Sequence, residues 1–324
     1  MRIKRILITG ASGQIGAVLT EALVLKYGKQ NVIVTDINQP THDYAKFETL
    51  NILDKERLIS LIDQYQITEI YHLAALLSAK GEQNPLFTWE LNMNGLFNVL
   101  EAAREKQIDK IFYPSSIAIF GDRTPRINTP QDTVLNPSTV YGMSKLAGEH
   151  WCAYYHKRYN LDIRSLRYPG IISYQSLPGG GTTDYAVEIF HYAVKGEDYV
   201  CYLKDDTRLP MMYMSDAIRA TIALMEAPSD QIKERGSYNL SGMDFTPKEL
   251  AAEIQKNIPD FSTTYEPDFR QAIADSWSDS IDDSAAQKDW GWSPHFDLAS
   301  MTKDMILNLK KKLKIDLSHI KRVV

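Results

Sequence analysis

The segment Gly10-Ala11-Ser12-Gly13-Gln14-Ile15-Gly16 limits what this chain can fold into more than any other. Before it, Ile6 to Thr9 is a short apolar run that reads as a strand stopping at Gly10. After it, Ile15, Val18, Leu19, Ala22 and Leu23 fall at helical spacing over Gln14 to Tyr27, and Gly28 sits where a helix C-cap glycine belongs. Glycines at such a junction let the backbone turn tightly and approach an anion, while the helix start offers unpaired N–H groups and the positive end of its dipole. The spacing is GxxGxxG, which small turns often produce, so context decides. A second strand, Val32-Ile33-Val34, ends at Asp36, about 20 residues past Gly16, where a carboxylate can accept hydrogen bonds from both ribose hydroxyls. That carboxylate would repel a 2′-phosphate, and no Arg or Lys follows within Ile37-Asn38-Gln39. Gly10, Gly13, Gln14, Ile15, Gly16 and Asp36 are therefore expected to bind NAD rather than NADP.

The alternation continues through the first 170 residues. Lys55–Tyr65 reads as a helix, Ile70–Leu73 as a strand, and Pro85 opens a helix running through Asn98 to Glu105. Ile111-Phe112-Tyr113 is the next strand, Ser138 to Arg158 a long helix, and Ile163–Arg167 another strand. Strands alternating with helices imply parallel pairing with right-handed crossovers, so the expected class is α/β, a doubly wound parallel (Rossmann) sheet. After Pro169 the texture changes. Leu177 to Asp184 is a glycine-rich loop, with helices expected over Tyr185–Lys195 and Met214–Glu226 and a short strand over Ser237–Leu240. Thr246-Pro247-Lys248-Glu249 fits a capping box with proline in the first helical position. A chain of 324 residues accommodates about two domains. We expect an NAD-binding domain over 1–170, completed by segments near 210–240, and a smaller α/β substrate domain over most of 171–324.

Composition narrows the function classes. A net charge of −5 gives no reason to expect nucleic-acid binding, and no stretch approaches a membrane span. Cys152 and Cys201 show neither CxxC nor Cys/His spacing, and the seven histidines form no ligand pattern, so no metal is expected and both thiols read as buried in a reducing compartment. The basic start Met1 to Arg5 leads into an apolar run too short for a signal peptide, so the expected location is cytoplasmic. The lysines from Lys310 to Lys314, with Lys321 and Arg322, read as a solvated helix end.

Tyr141 and Lys145 share one face of the long helix. Chance supplies about one such spacing in a chain of this composition, so position carries the argument. The pair follows the strand Ile111–Tyr113 and the serines Ser115 and Ser116, at the sheet edge where open α/β folds bind ligands. A phenol titrates near pH 10, too high for a base at neutral pH, and a neighbouring ammonium lowers that value. A serine hydroxyl can hold the reacting oxygen. Ser116, Tyr141 and Lys145 are the expected catalytic residues, with Ser115 as the alternative serine, since neighbours on a strand point opposite ways.

Together these residues resemble the extended short-chain dehydrogenase/reductase superfamily, over most of the chain. The motifs are the Gly10–Gly16 loop, Asp36, His72-Leu73-Ala74-Ala75, Asn92, Asn94-Gly95, Ser115-Ser116, the Tyr141/Lys145 pair and Arg167-Tyr168-Pro169. By position the resemblance puts Asn51 and Ile52 at the adenine, Leu73, Ala74, Ala75 and Asn92 along the cofactor, and Ile171 near the nicotinamide. Nucleotide-sugar members typically read Arg-Tyr-Phe-Asn where this chain has Arg167-Tyr168-Pro169-Gly170, which counts against an epimerase or dehydratase. Pro178 to Tyr185, Asp206 to Tyr213, Ile281-Asp282-Asp283-Ser284 and Asp289-Trp290-Gly291-Trp292 are similar instead to the short-chain type of L-threonine 3-dehydrogenases. That resemblance implies oxidation of L-threonine to 2-amino-3-ketobutyrate with NAD as acceptor. Asp184 would take the substrate ammonium. Ser78, Thr182, Thr183 and the N–H groups around Gly180 would take its carboxylate, with Ser116 and Tyr141 at the hydroxyl. Trp277, Trp290 and Trp292 read as small-domain core, and Arg208 as a substrate or interdomain residue or, equally, a surface arginine. The resemblance also implies a homodimer formed through Trp89–Glu105 and Ser138–Arg158. A nucleotide-sugar epimerase or dehydratase and a non-catalytic NAD-binding sensor are the competing readings.

Overall fold

Strand residues point alternately into two apolar layers, and this alternation organises the larger part of the molecule. The computed structural model describes residues 3–40, 43–177, 179 and 181–314, without the side chains of residues 79 and 80. Strands β1 (Ile6–Thr9), β2 (Val32–Asp36), β3 (Lys46–Thr49), β4 (Glu69–His72), β5 (Lys110–Ser116) and β6 (Ile163–Tyr168) join the short strand Tyr238–Asn239 in one sheet. Its order is Tyr238–Asn239, β6, β5, β4, β1, β2, β3, and every pairing is parallel. The expected doubly wound sheet is therefore present. Strands are added outward from β1 to β2 and β3 on one side and then to β4, β5 and β6 on the other, and the switch point between β1 and β4 opens a crevice at the carboxyl ends of the strands.

The two layers are separable by residue. Leu7, Ile33, Ile70, Ile111 and Ile163 face α2 (Lys55–Tyr65), α4 (Pro85–Lys106) and α5 (Val140–Tyr159), meeting Leu58, Leu96, Val99 and Cys152. On the other face Ile6, Ile8, Val34, Phe112 and Leu166 meet Leu19 and Leu23 of α1 (Gln14–Tyr27) and Ala217 and Leu224 of the helix Met214–Glu226. A third core joins the helices Tyr185–Lys195, Pro247–Gln255 and Leu298–Lys312 to a three-stranded sheet of Gly170–Ile172, Leu209–Tyr213 and Met243–Phe245. Both cysteines are buried and free, and no helix among the described residues is long and apolar enough to cross a membrane.

Side-chain caps set the helix limits. Asp54 accepts the N–H of Arg57, Asn84 that of Phe87, and Thr139 that of Gly142, so α5 begins at Val140 rather than Ser138. Thr246 and Glu249 make the expected capping box ahead of Pro247. Several elements go beyond those expected, and in the larger sheet's layers two of them carry too little apolar periodicity to read. They are β3, a half-polar edge strand, and α3 (Ser78–Gln83), a single short turn interrupted by Gly81.

β5 runs on past Tyr113 through Pro114 to Ser116, which a proline would ordinarily prevent in a central strand. The ladder to β4 ends at Tyr71–Phe112, whereas the ladder to β6 continues to Ser116–Tyr168. From Pro114 onward β5 has a neighbour on one side only, which tolerates the missing N–H and leaves the other side open to the crevice.

Candidate active site

The crevice at the switch point runs from the glycine loop to the helix Tyr185–Lys195. Gly10, Gly13, Gln14, Ile15 and Gly16 line one end, Leu73, Ala75 and Ile171 the middle, and Ser116, Tyr141, Lys145, Ser78, Thr182, Thr183 and Asp184 the other. The loop end suits a diphosphate, because no side chain caps the first turn of α1 and no acidic residue stands there. Asp36 closes β2 beside it. Its carboxylate accepts the N–H groups of Ser12 and Asn38, both at 3.0 Å, which orients it at the sheet edge.

The remaining cofactor expectations divide by geometry. Ala74 is tied to Thr9, whose hydroxyl accepts its N–H, next to the lining residues Leu73 and Ala75. Asn51 and Ile52 follow β3 beside Asp36, but Ile52 is buried in the core and neither lines the crevice. Asn92 does not line it either. Its amide accepts the N–H of Leu76 at 2.8 Å and donates to the Leu76 carbonyl and the Ser144 hydroxyl, both at 3.1 Å. It braces the loop after β4 against α5, and the structure gives it no direct contact with the crevice.

At the other end, α5 comes close to the turn Ile117–Ile119. A Cβ on Gly142 would stand 2.0 Å from the Ala118 carbonyl oxygen, so only glycine after Tyr141 permits that approach. The Ser116 hydroxyl then reaches the Tyr141 phenol. Lys145 donates to the Pro114 carbonyl at 2.7 Å, and its ammonium lies 5.5 Å from the centre of the Tyr141 ring. Burial pushes the Tyr141 phenol up to about 12, opposed by the Ser116 hydrogen bond. Burial also pulls Lys145 down to about 8. Desolvation thus outweighs the expected help of the ammonium to the phenol.

The two serines differ in their partners. Ser115 lines the crevice beside Ser116, but its hydroxyl donates to the buried Glu149 carboxylate at 2.5 Å. Ser115 was the alternative for holding the reacting oxygen, and this bond commits its hydroxyl elsewhere.

The far wall comes from sequence that pattern alone could not assemble. Thr182 is buried and its hydroxyl has no partner among the described residues. Asp184 accepts the N–H of Gly181 at 2.7 Å while its residue lines the crevice, so a capping role and a site position coexist. The Gly181 carbonyl accepts from the Tyr202 hydroxyl at 3.2 Å. Gly180 lies outside the described residues.

Trp277 goes beyond the core role expected of it. It lines the crevice as well as packing in the smaller core. It precedes a segment stitched to the loop between β5 and α5, where the Asp279 N–H donates to the Arg126 carbonyl, the Thr129 N–H to that of Ser280, and the Asp282 N–H to that of Thr129. Trp290 and Trp292 also differ from expectation, because they pack on the large-sheet core beside Tyr238 and Leu240. Arg208 is a surface residue that pairs with Asp244 and Glu249.

His72, at the end of β4, is a further buried group here. Its Nδ1 lies 2.9 Å from the Thr9 hydroxyl, and burial together with Lys145 holds it neutral, pulled down to about 3. No cluster of three or more His, Cys, Asp or Glu side chains among the described residues could hold a metal ion.

Known proteins resemble this chain in sequence and fold. The model of the NAD-dependent epimerase/dehydratase family matches residues 6–241. An uncharacterised epimerase/dehydratase of Staphylococcus haemolyticus is 49% identical over 315 residues, covering 96% of this chain and 99% of the relative. The holo form of a GalE-like L-threonine dehydrogenase from Cupriavidus necator superposes with a TM-score of 0.93 at 55% identity, covering 94% of this chain and all of that one. A monomeric L-threonine 3-dehydrogenase from a metagenome, in its apo form, gives 0.92 at 49% identity over 95% of this chain and 99% of its own. With a family model spanning well over half the chain, from β1 past the strand Tyr238–Asn239, the protein belongs to the NAD-dependent epimerase/dehydratase family.

Proposed function

We propose that this protein oxidises L-threonine at its side-chain carbinol, with NAD as the acceptor, to give 2-amino-3-ketobutyrate, NADH and a proton. The observation that carries the reading is the meeting of Ser116, Tyr141 and Lys145 with Thr182, Thr183 and Asp184 in one crevice that begins at an uncapped glycine loop. The threonine dehydrogenases of similar sequence and fold support it. NAD would be held by its diphosphate at the Gly10–Gly16 loop and by its ribose at Asp36, with Leu73, Ala75 and Ile171 along the crevice, and would supply the hydride acceptor.

The chain's own groups do the rest. Tyr141 takes the hydroxyl proton, Ser116 holds the same oxygen by a hydrogen bond, and Lys145 supplies positive charge that favours the phenolate. Burial makes the Tyr141 phenol a poor base on its own, so the phenolate depends on positive charge, from Lys145 and from the oxidised cofactor when bound, outweighing that desolvation. Asp184 pairs with the substrate ammonium. Ser78, Thr182 and Thr183, with the loop through Gly179 and Gly181, take the carboxylate, and the unpartnered Thr182 hydroxyl is the donor least occupied by the protein itself. In this reading 1–170 with the segments near 210–240 bind NAD, and the rest of 171–324 closes on the substrate.

We further propose a cytoplasmic homodimer through α4 and α5. Trp89, Trp151 and Tyr154 are 43%, 39% and 49% exposed there, a composition suited to an interface. Light scattering decides between a dimer and the monomer described for one relative.

The test is NADH formation by purified protein with L-threonine and NAD, set against D-threonine, L-serine and NADP. Activity confined to L-threonine and NAD, and lowered about 100-fold or more by Tyr141→Phe with NAD binding retained, is expected. The competing reading is favoured by the epimerase/dehydratase names of the curated relatives. It predicts no net NADH and turnover of a nucleotide sugar.

A further inference from the structure

Behind Tyr141 and Lys145 lies a buried ion pair that the reaction as described does not use. Glu149 follows Lys145 by one turn on the same face of α5 and is 3% exposed. Its carboxylate accepts the Ser115 hydroxyl at 2.5 Å and three contacts from the Arg167 guanidinium, at 2.9, 3.1 and 3.3 Å. Arg167, 5% exposed, donates onward to the Gln131 carbonyl at 3.0 Å and to the Asn239 side-chain oxygen at 3.1 Å. Two charges taken out of water are costly to keep, so their placement asks for an explanation beyond stability.

Position supplies one. Ser115 stands between Pro114, whose carbonyl holds the Lys145 ammonium, and Ser116, whose hydroxyl reaches Tyr141. Glu149 therefore grips the strand at the residue between the two partners of the catalytic pair. The groups around Lys145 come from three elements. They are the Tyr113 ring of β5 at 4.8 Å, the Tyr141 ring of α5 at 5.5 Å, neutral His72 of β4, and Cys152 and Glu149 of α5. Burial keeps the Cys152 thiol protonated, so among these groups Glu149 carries the full negative charge.

We infer that Glu149 is a positioning residue: held by Arg167, it fixes the Ser115–Ser116 strand end against α5 and supplies the negative charge that faces the Lys145 ammonium. The inference rests on the reading of Tyr141 and Lys145 as the catalytic pair. Glu149 opposes the burial that pulls Lys145 down to about 8, while Tyr141 feels chiefly its own burial and Ser116. Removing the charge lowers the pH at which Lys145 loses its proton. The neutral lysine–phenol pair then competes with the active ammonium–phenolate form, and these two protonation states of the pair share one proton count.

Glu149→Gln keeps an acceptor for Ser115 and removes the charge. Two readouts apply. In the NAD-loaded protein, the side-chain carbon signal of Lys145, assigned with Lys145→Met, titrates about one pH unit lower in Glu149→Gln than in wild type. This readout needs no substrate, so it stands whether or not L-threonine is turned over. With an active substrate, the plateau of kcat falls roughly tenfold, the acid limb of its pH profile moves to lower pH, and KM stays within about twofold. Glu149→Asp, which keeps the charge, restores the Lys145 titration. An unmoved titration in a folded Glu149→Gln overturns the inference and leaves the ion pair a structural brace. Should Glu149→Gln fail to fold, Ser115→Ala with Glu149→Asp carries the test. Glu149→Asp must titrate as wild type, and Ser115→Ala must lower kcat about threefold without moving the titration; a wild-type kcat in Ser115→Ala overturns the strand-gripping role.

Discussion

The two ends of the crevice are built on different principles. The nucleotide end is one short stretch of chain, Gly10 to Gly16, whose backbone turns a strand into a helix and leaves N–H groups uncapped. The far end is assembled from pieces remote in sequence: Ser116 on β5, Tyr141 on α5, Thr182 to Asp184 beyond the sheet, and Trp277 almost a hundred residues later. In the proposed reading backbone geometry does the recognition at the first end, and glycine is the essential residue. At the second, side chains do it, and each is held by others, Ser115 by Glu149, Asp184 by Gly181 and the Gly181 carbonyl by Tyr202. A single substitution should therefore disable the first end outright, and should only weaken one function at a time in the second.

The largest effect expected from that contrast is at Gly16. A Cβ there would stand 2.4 Å from the Gly10 carbonyl oxygen and 2.8 Å from the Ala11 Cα, both backbone atoms that cannot swing aside. Gly16→Ala should weaken NAD binding about 100-fold or more and lower Tm, since crowding of this kind costs roughly 1–3 kcal/mol. Titration of NAD against the variant checks it, and wild-type affinity would mean that the loop is not the diphosphate site.

A smaller and more selective effect is expected at Asp184. Asp184→Ala should raise KM for L-threonine roughly tenfold while NAD affinity is unchanged. A lower Tm with an unaltered KM would show that the carboxylate only caps its turn.

The smallest effect is on acid stability and belongs to the floor of the nucleotide end. His72 is held neutral in the fold, its pKa lowered from an ordinary value near 6.5 to about 3 by burial and by Lys145. The unfolded chain binds that proton more readily, so this contribution to stability is complete above about pH 6.5 and declines as pH falls towards 3. Denaturant unfolding between pH 7 and 5 should show a steeper loss in wild type than in His72→Asn. Parallel curves would remove His72 from the account.

The same contrast explains what the amino-acid sequence revealed. The Gly10–Gly16 loop, Asp36 and the strand–helix alternation are local signals, and the sheet order and the ends of α1, α2 and the helix Met214–Glu226 agree with them. The half-polar edge strand β3 and the short helix α3 offer no periodicity to read. Trp277 looks like any core tryptophan, and only the stitching of its segment to the loop before α5 brings it to the crevice. Asn92 belongs to a recognisable motif, but its amide is spent on Leu76 and Ser144, which no spacing rule could foretell. Glu149 and Arg167 carry charge in segments that otherwise read as buried, and a paired buried charge becomes meaningful only when its partner is known.

The central claim is that both ends form one site in which a hydride leaves the carbinol carbon of L-threonine for the nicotinamide. The direct measurement uses L-threonine deuterated at that carbon, with NAD and the purified protein, followed by mass analysis of the reduced cofactor. NADH carrying one deuterium, formed in step with 2-amino-3-ketobutyrate, is the predicted result. Reduced cofactor without the label, or no reduced cofactor while a nucleotide sugar is converted, would contradict the account.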